Sequence, residues 1–303
     1  MISSKEIVCP NNLLDVAHQK KGVSAGIVNA GKSITMMSVM DAVNENLITP
    51  IFIGDKNLIE KYALELNFNI SEFKIIDEKN ENNTAIIAAE LASKGIIKIV
   101  VKGHIHTDVL MKEIIKKKYN LIGKTRLSHI WHMTLDKDDK PLIITDGALN
   151  VNPNLKTKMH ILKNVINFCK RIGNKRPKVS VLSATEEVLD SVQSSLDAKE
   201  ITELAKKESL EADVFGPLAF DNSVSKKSAE IKGISNIVSG NADVLLVPNV
   251  ETGNALVKIM VYFMGACAAG VVVGGKVPVV ITSRSDVATA RLASIAAAVV
   301  ALD

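Results

Sequence analysis

Short apolar runs alternate with helix-spaced patterns along most of the chain. The runs predict strands at 24–29 (SAGIVN), 49–54, 73–77, 96–103, 127–134, 141–146, 178–183, 242–248 and 277–282. Several are continuously apolar, which is how strands covered on both faces read. Between them lie helical patterns. In LKTKMHILKNVINFC the residues Leu155, Met159, Leu162, Val165, Ile166 and Cys169 recur at helical spacing. Strand–helix alternation predicts an α/β fold with a mostly parallel sheet. The alternation breaks at 119–141, where two strand-like runs flank the turn DKDDKP with no helix between them. That stretch reads as a hairpin and a domain border. The run IMVYFMGACAAGVVVGG, 259–275, holds 17 residues without a charge. Its length sits at the lower edge of a membrane span, about 17–25 residues. Four glycines and the abrupt Lys276 predict instead a buried helix running into a buried strand. The last pattern is an apolar run, then SRSD at 283–286, then a helix of small residues over 287–302.

Composition narrows the classes. A chain of 303 residues forms one large domain or two smaller ones. The 4% aromatic share makes the core aliphatic and small. A net charge of +4, with its basic residues spread along the chain, argues against a nucleic-acid partner. Cys9, Cys169 and Cys267 are far apart and odd in number, so neither a zinc site nor a disulfide framework is readable. The N-terminus lacks the charged start and apolar core of a signal peptide, so the expected location is the cytoplasm, without a membrane anchor.

In open α/β sheets ligands bind beyond the carboxyl ends of strands, which turns the strand list into a site list. After 96–101 comes KGHIHTD, where Thr107 or Asp108 is expected to cap the next helix, beside Lys102 and His104. The free amides of such a helix start make an anion site. After 141–145 comes DGALNVNP, with Asp146 and Asn150. After 243–247 comes PNVETGN, with Asn249, Glu251 and Asn254 expected before another helix. After 277–282 comes SRSD. Any one of these polar residues, taken alone, also reads as an ordinary cap or turn former. His104 and His106 alternate sides of an extended segment, and either reads equally as a satisfied structural histidine. Arg284 has two readings: an ion pair with Asp286, or a ligand for an oxyanion held by its planar fork. No G-x-G-x-x-G follows a strand, NAGKS (29–33) has only the tail of a phosphate-binding loop, and no G-x-S-x-G occurs.

Four stretches together resemble the phosphate acetyl/butyryltransferase family: KGHIHTD (102–108), DGALNVNPNLKTK (146–158), GPLAFDNSVS (216–225) and the long run 241–286 ending in TSRSD. The length, the KG at 102–103 and the TSRSD ending look more like the butyryl branch than the acetyl branch. The resemblance implies an α/β fold of two three-layer α/β/α domains with a cleft between them, as in isocitrate/isopropylmalate dehydrogenases. The expected borders are 1–130 plus 275–303 for the first domain and 131–274 for the second. It also implies acyl-CoA + phosphate = acyl phosphate + CoA, by direct transfer, with no metal and no cofactor, in a homo-oligomer built of dimers. Ser283 and Arg284 match the Ser-Arg pair that acetyltransferase relatives place at the reacting centre. The aspartate those relatives use as thiol base would fall seven residues after Ser283, where this chain has Ala290, so Asp286 is the expected substitute. The catalytic set is then Ser283, Arg284 and Asp286. The substrate-binding set is Lys102, Gly103, His104, Thr107, Asp146, Asn150, Asn249, Glu251 and Gly253. Phosphate acetyltransferase, an acyl carrier protein-dependent phosphate acyltransferase and a non-catalytic CoA-binding homologue stay open as alternatives.

Overall fold

The structure, a computed structural model, describes residues 2–137, 139–283 and 286–302. In chain order it forms α1 (Asn11–Ala17), β1 (Val23–Val28), α2 (Ser33–Asn44), β2 (Ile48–Gly54), α3 (Lys56–Glu65), β3 (Lys74–Asp77), α4 (Glu81–Ser93), β4 (Ile99–Lys102) and α5 (Thr107–Ile114). Next come β5 (Ser128–Thr134), β6 (Leu142–Thr145), α6 (Leu155–Arg171), β7 (Lys178–Leu182), α7 (Gln193–Lys207), β8 (Asp213–Leu218), α8 (Phe220–Val224), α9 (Lys226–Ile231), β9 (Val244–Leu246) and α10 (Val250–Met264). The chain ends with β10 (Cys267–Val273), β11 (Val279–Val280) and α11 (Ala288–Val300).

These elements fall into two compact units. The first comprises residues 7–124, 136–138 and 267–303; the second comprises 1–6, 125–135 and 139–266. In the first unit the strand order is β3-β2-β1-β4-β11-β10, parallel except for the β10–β11 pair. In the second it is β5-β6-β9-β7-β8, parallel except for the β5–β6 pair. Strand pairing explains where these units change over. β5 is the antiparallel partner of β6 and goes with it, so the change falls at 124/125 rather than 130/131. β10 pairs with β11 and goes with the first unit, so the second change falls at 266/267 rather than 274/275.

The first unit's core is built from small side chains. α11 buries ten of its thirteen residues, nearly all Ala, Val or Ile, and packs on β10, α2 and α1. Ser294 satisfies its hydroxyl inside this core by donating to the Ala290 carbonyl and accepting from the Gly270 amide. In the second unit α6 buries Met159, Leu162, Val165, Ile166 and Cys169, the face its periodicity predicts.

Three local expectations need correction. β8 has no counterpart among the predicted strands. Its sequence DVFGPL contains Gly216-Pro217, which reads as a break, yet β8 ends its unit's strand order, and an edge strand tolerates a proline. The run from 259 predicts a buried helix, but Ile259, Phe263 and Met264 are exposed, and α10 as a whole buries only Gly253 and Val257. The strand expected at 277–282 is ladder-bonded only at Val279–Val280. Among the described residues no helix is long and apolar enough to cross a membrane.

Candidate active site

In the first unit β1, β4 and β11 are neighbours and run parallel, with Val28 opposite Lys102 and Val101 opposite Val280. Their carboxyl ends therefore emerge at one sheet edge, the place where an open α/β sheet binds ligands. Three loops leave from it: 29–32, 103–106 and 281–287.

The first two loops are fastened to each other. Gly103 N donates to Val28 O and His104 N to Asn29 O, both at 2.8 Å. Asn29 Nδ2 returns a bond to His104 O at 2.5 Å. Asn29 makes this fit in the left-handed region, φ 57°, which asparagine tolerates better than most residues. The two backbones approach so closely at Gly103 that an added Cβ would lie 2.5 Å from Asn29 O and 2.6 Å from Val28 O. Gly103 is thus a steric requirement of the loop. Lys102, the last residue of β4, is 5% exposed and stands at this edge. His104 and Thr107 are exposed.

α5 departs from the expected capping. Its N-cap residue is His106, which makes no side-chain cap bond, and Thr107 is the first helical residue. His106 is held instead by Glu81 at the start of α4: Glu81 Oε1 accepts from His106 N at 2.5 Å and lies 2.8 Å from Nδ1. The His106 amide, with its ring and His104 adding to it, holds the Glu81 carboxyl below the usual carboxylate range.

The third loop is organised by a residue that the sequence pattern hid. Ser283 N donates to Asp286 Oδ2 at 2.6 Å, and Asp286 N donates back to Ser283 O at 3.2 Å, so these two residues are bonded to each other in both directions. Beneath it lies Arg291, 5% exposed, from the second turn of α11. Its Nη1 donates to Thr282 Oγ1 (2.8 Å), its Nη2 to Ser283 O (2.7 Å) and its Nε to Asp286 O (3.1 Å). Burial lowers the Arg291 pKa, and the Asp286 charge works against that shift. Arg284, expected to grip an oxyanion, lies outside the described residues. Ala290 is buried in α11. Burial, with the Asp286 charge adding to it, pushes the Cys267 thiol up to about 12; burial likewise raises Cys169 to about 12. Neither thiol has thiolate character at neutral pH.

The second unit has its own strand-end edge. β6 and β9 are parallel, with Thr145 opposite Leu246, and their loops carry the remaining predicted residues. Asp146 is 2% exposed and its carboxylate is used by its own chain. Oδ1 accepts from Ala148 N (3.0 Å) and Leu149 N (2.9 Å). Oδ2 accepts from His129 N (3.0 Å) and Asn150 Nδ2 (2.6 Å). Asn150 Nδ2 also donates to Leu127 O at 2.9 Å. Asn249 caps α10, accepting from Thr252 N at 3.0 Å and Thr252 Oγ1 at 2.7 Å. Glu251 and Asn254 therefore lie within α10, not before it, and both are exposed. An added Cβ on Gly253 would lie 2.6 Å from the Gly147 Cα, so two glycines let α10 rest on the β6 loop.

The predicted residues thus gather at two edges. Lys102, Gly103, His104, Thr107, Ser283 and Asp286 belong to the first unit; Asp146, Asn150, Asn249, Glu251 and Gly253 belong to the second. Asn29 and Arg291 were missed. Asn29 stands in the strand-end segment NAGKS, which reads as a failed phosphate loop. Arg291 stands in a helix, with only its scarcity to mark it: the chain has five arginines.

Comparison with known proteins identifies the family. The family model described as phosphate acetyl/butaryl transferase matches residues 78–299. A phosphate acetyltransferase of Rickettsia felis is 38% identical over 90% of this chain and 79% of its own length. A phosphate butyryltransferase of Clostridium acetobutylicum is 33% identical over 95% of this chain and 96% of its own. The crystal structure of a branched-chain phosphotransacylase from Enterococcus faecalis superposes with a TM-score of 0.78 at 31% identity, covering 91% of this chain and 97% of that one. With its family model matched over most of its length, and relatives above 30% identity spanning nearly all of it, the chain belongs to the phosphate acetyl/butyryl transferase family.

Proposed function

We propose that the protein moves a short acyl group between CoA and inorganic phosphate: acyl-CoA + phosphate = acyl phosphate + CoA. The family match over 78–299 carries this reading. The loop edge of the first unit supports it with an ammonium at Lys102, a hydroxyl at Ser283 and a carboxylate at Asp286.

In the proposed mechanism phosphate oxygen attacks the thioester carbonyl in a single ternary complex. A carbon–oxygen bond forms, the carbon–sulfur bond breaks, and CoA leaves with the electron pair of that bond. Lys102 and Arg284 offset the phosphate charge and fix its position. Ser283 donates to the carbonyl oxygen while negative charge grows there. Asp286 exchanges a proton with CoA sulfur, whose thiol has a pKa of about 8.5 by analogy with cysteine and so needs a base in the reverse direction. Direct transfer asks for no enzyme nucleophile, metal or cofactor. In the second unit, Asp146 and Asn150 shape the loop, Asn249 and Gly253 set the start of α10, and Glu251 is presented to solvent for substrate. The finer fold assignment is the isocitrate/isopropylmalate dehydrogenase-like one. The protein works in the cytoplasm as a homo-oligomer.

For the acyl group we propose butyryl or branched C4–C5. The butyryl and branched-chain relatives support this by their 33% and 31% identity over 95% and 91% of this chain. The acetyl reading is favoured by the higher identity of the Rickettsia relative, 38%. A panel of acyl-CoAs assayed for phosphate-dependent CoA release separates them. The expected result is a larger kcat/KM for butyryl- or isovaleryl-CoA than for acetyl-CoA. A tenfold advantage for acetyl-CoA, about 1.4 kcal/mol in the barrier, would assign the chain to the acetyl branch.

A further inference from the structure

We propose that Arg291 is a positioning residue for acyl transfer: from within α11 it ties Thr282, Ser283 and Asp286 to one another and so presents Ser283 and Asp286 to substrate. The inference rests on the reading of that loop given above.

The observations are geometric. A helical side chain leans toward the N-terminus of its helix, so a long residue in the second turn of α11 reaches back under the preceding loop. Arg291 does this and directs three different nitrogens to three loop oxygens, at Thr282, Ser283 and Asp286. One guanidinium thus joins Thr282 and Ser283 to Asp286. All three are uncharged oxygens. The nearby Asp286 carboxylate offsets part of the cost of burying the Arg291 charge, yet the guanidinium spends its hydrogen bonds on the loop's neutral oxygens. A cation near a helix N-terminus is disfavoured by the helix dipole as well. A local preference is thus broken at this residue, and such violations cluster at functional sites.

The chemistry also explains why the residue is arginine. Three donors in a rigid plane reach three separate acceptors at once, whereas an ammonium on a flexible stem serves one or two of them. The reciprocal Ser283–Asp286 bonds persist without Arg291, so its loss leaves the turn formed but unanchored. A displacement of about 1 Å at a reacting group costs on the order of 100-fold in rate.

The test uses Arg291→Lys in the full-length protein. It combines steady-state kinetics for phosphate-dependent CoA release with hydrogen exchange of the Ser283 and Asp286 amides. The expected result is a kcat lower by about 10–100-fold, with KM for acyl-CoA changed by less than about threefold. The two loop amides should exchange roughly tenfold faster while the amides of α11 from Ala293 onward keep the parent rate. A kcat within about twofold of the parent overturns the proposal, as do loop amides that exchange at the parent rate. Global loss of protection along α11 also overturns it, since Arg291 would then be holding the helix. Arg291→Gln, which keeps a planar donor without the charge, serves as the second variant; it should fall between the parent and Arg291→Lys in exchange rate, and the reverse order contradicts an anchoring role. A parent protein that releases no CoA with phosphate defeats the functional reading instead, and the exchange data still decide whether Arg291 anchors the loop.

Discussion

Two strand-end loops each carry an aspartate, and the chain uses them differently. Asp146, after β6, is buried and takes bonds from three backbone amides and one side-chain amide of its own unit. Asp286, after β11, is only half-buried and takes the Ser283 amide, while an arginine behind it ties up the loop's carbonyls and the Thr282 hydroxyl. In the first case the carboxylate is the scaffold. In the second an arginine is the scaffold, and the carboxylate and hydroxyl stand nearer the surface. A polar residue at a strand end is therefore a site residue only when something else does the work of building its loop. By that criterion the Ser283–Asp286 loop is the stronger catalytic candidate of the two.

The largest expected effect is on stability. Asp146→Ala leaves the buried His129 amide unsatisfied, at about 1–3 kcal/mol, and removes three part-buried bonds, at about 1 kcal/mol each. The variant should lose more than about 3 kcal/mol in a urea titration. Asp286→Ala, in its more open loop, should lose less than about 1.5 kcal/mol, one hydrogen bond's worth. Equal losses at the two positions would erase the distinction.

The next effect is a pH dependence confined to the second unit's buried strand. His129 and His132 on β5 are fully buried, and burial lowers each to about 4. The unfolded value is about 6.5, so between those limits the unfolded chain binds protons that the folded chain refuses. Stability from this source is complete above pH 6.5 and is lost as the pH falls toward 4. Each histidine contributes a slope of about 1.4 kcal/mol per pH unit in that window. His132→Phe should remove about that much of the loss between pH 6 and pH 5. Identical slopes for parent and variant would show that the ring is not held neutral by burial.

The smallest effect sharpens the first unit's side of the comparison. Glu81 and His106 are partly exposed, with side chains 33% and 61% accessible, so their pairing is weakened by solvent. Glu81→Gln should cost less than about 1 kcal/mol of stability. Its signature is local: the His106 amide loses its charged acceptor and should exchange faster, which backbone NMR reads directly. An unchanged His106 amide would mean that Glu81 does not hold the start of α5.

Much of this was legible in the sequence. Nine strands were readable as short apolar runs, several of them uninterrupted because strands covered on both faces must be apolar throughout. The loops with chemistry followed, because parallel strands deliver their carboxyl ends to common edges. β8 was hidden by Gly216-Pro217, since an edge strand's tolerance of proline depends on its neighbours and not on its own residues. The exposed face of α10 was hidden for the opposite reason: apolar residues write the same pattern whether or not anything covers them. The roles of the aspartates were not legible. Asp146's donors come from residues 129, 148, 149 and 150, a set that only the folded chain assembles. Arg291 looked like one residue of a small-residue helix, because no local pattern says which way a buried side chain reaches.

The central claim is that the Ser283–Asp286 loop carries acyl transfer, and Asp286→Asn tests it most directly. Both residues accept a hydrogen bond from the Ser283 amide, so the substitution keeps the loop's closure and removes only the charge and the proton-accepting oxygen. The measurement is the turnover rate for phosphate-dependent CoA release from butyryl-CoA, with the melting temperature recorded for both proteins. The account predicts a loss of about 100-fold or more in turnover, the range for a missing general acid–base group, at a KM and melting temperature close to the parent's. Turnover within a few-fold of the parent would contradict it and move the proton transfer to another group, with His104 and Glu251 the next to replace.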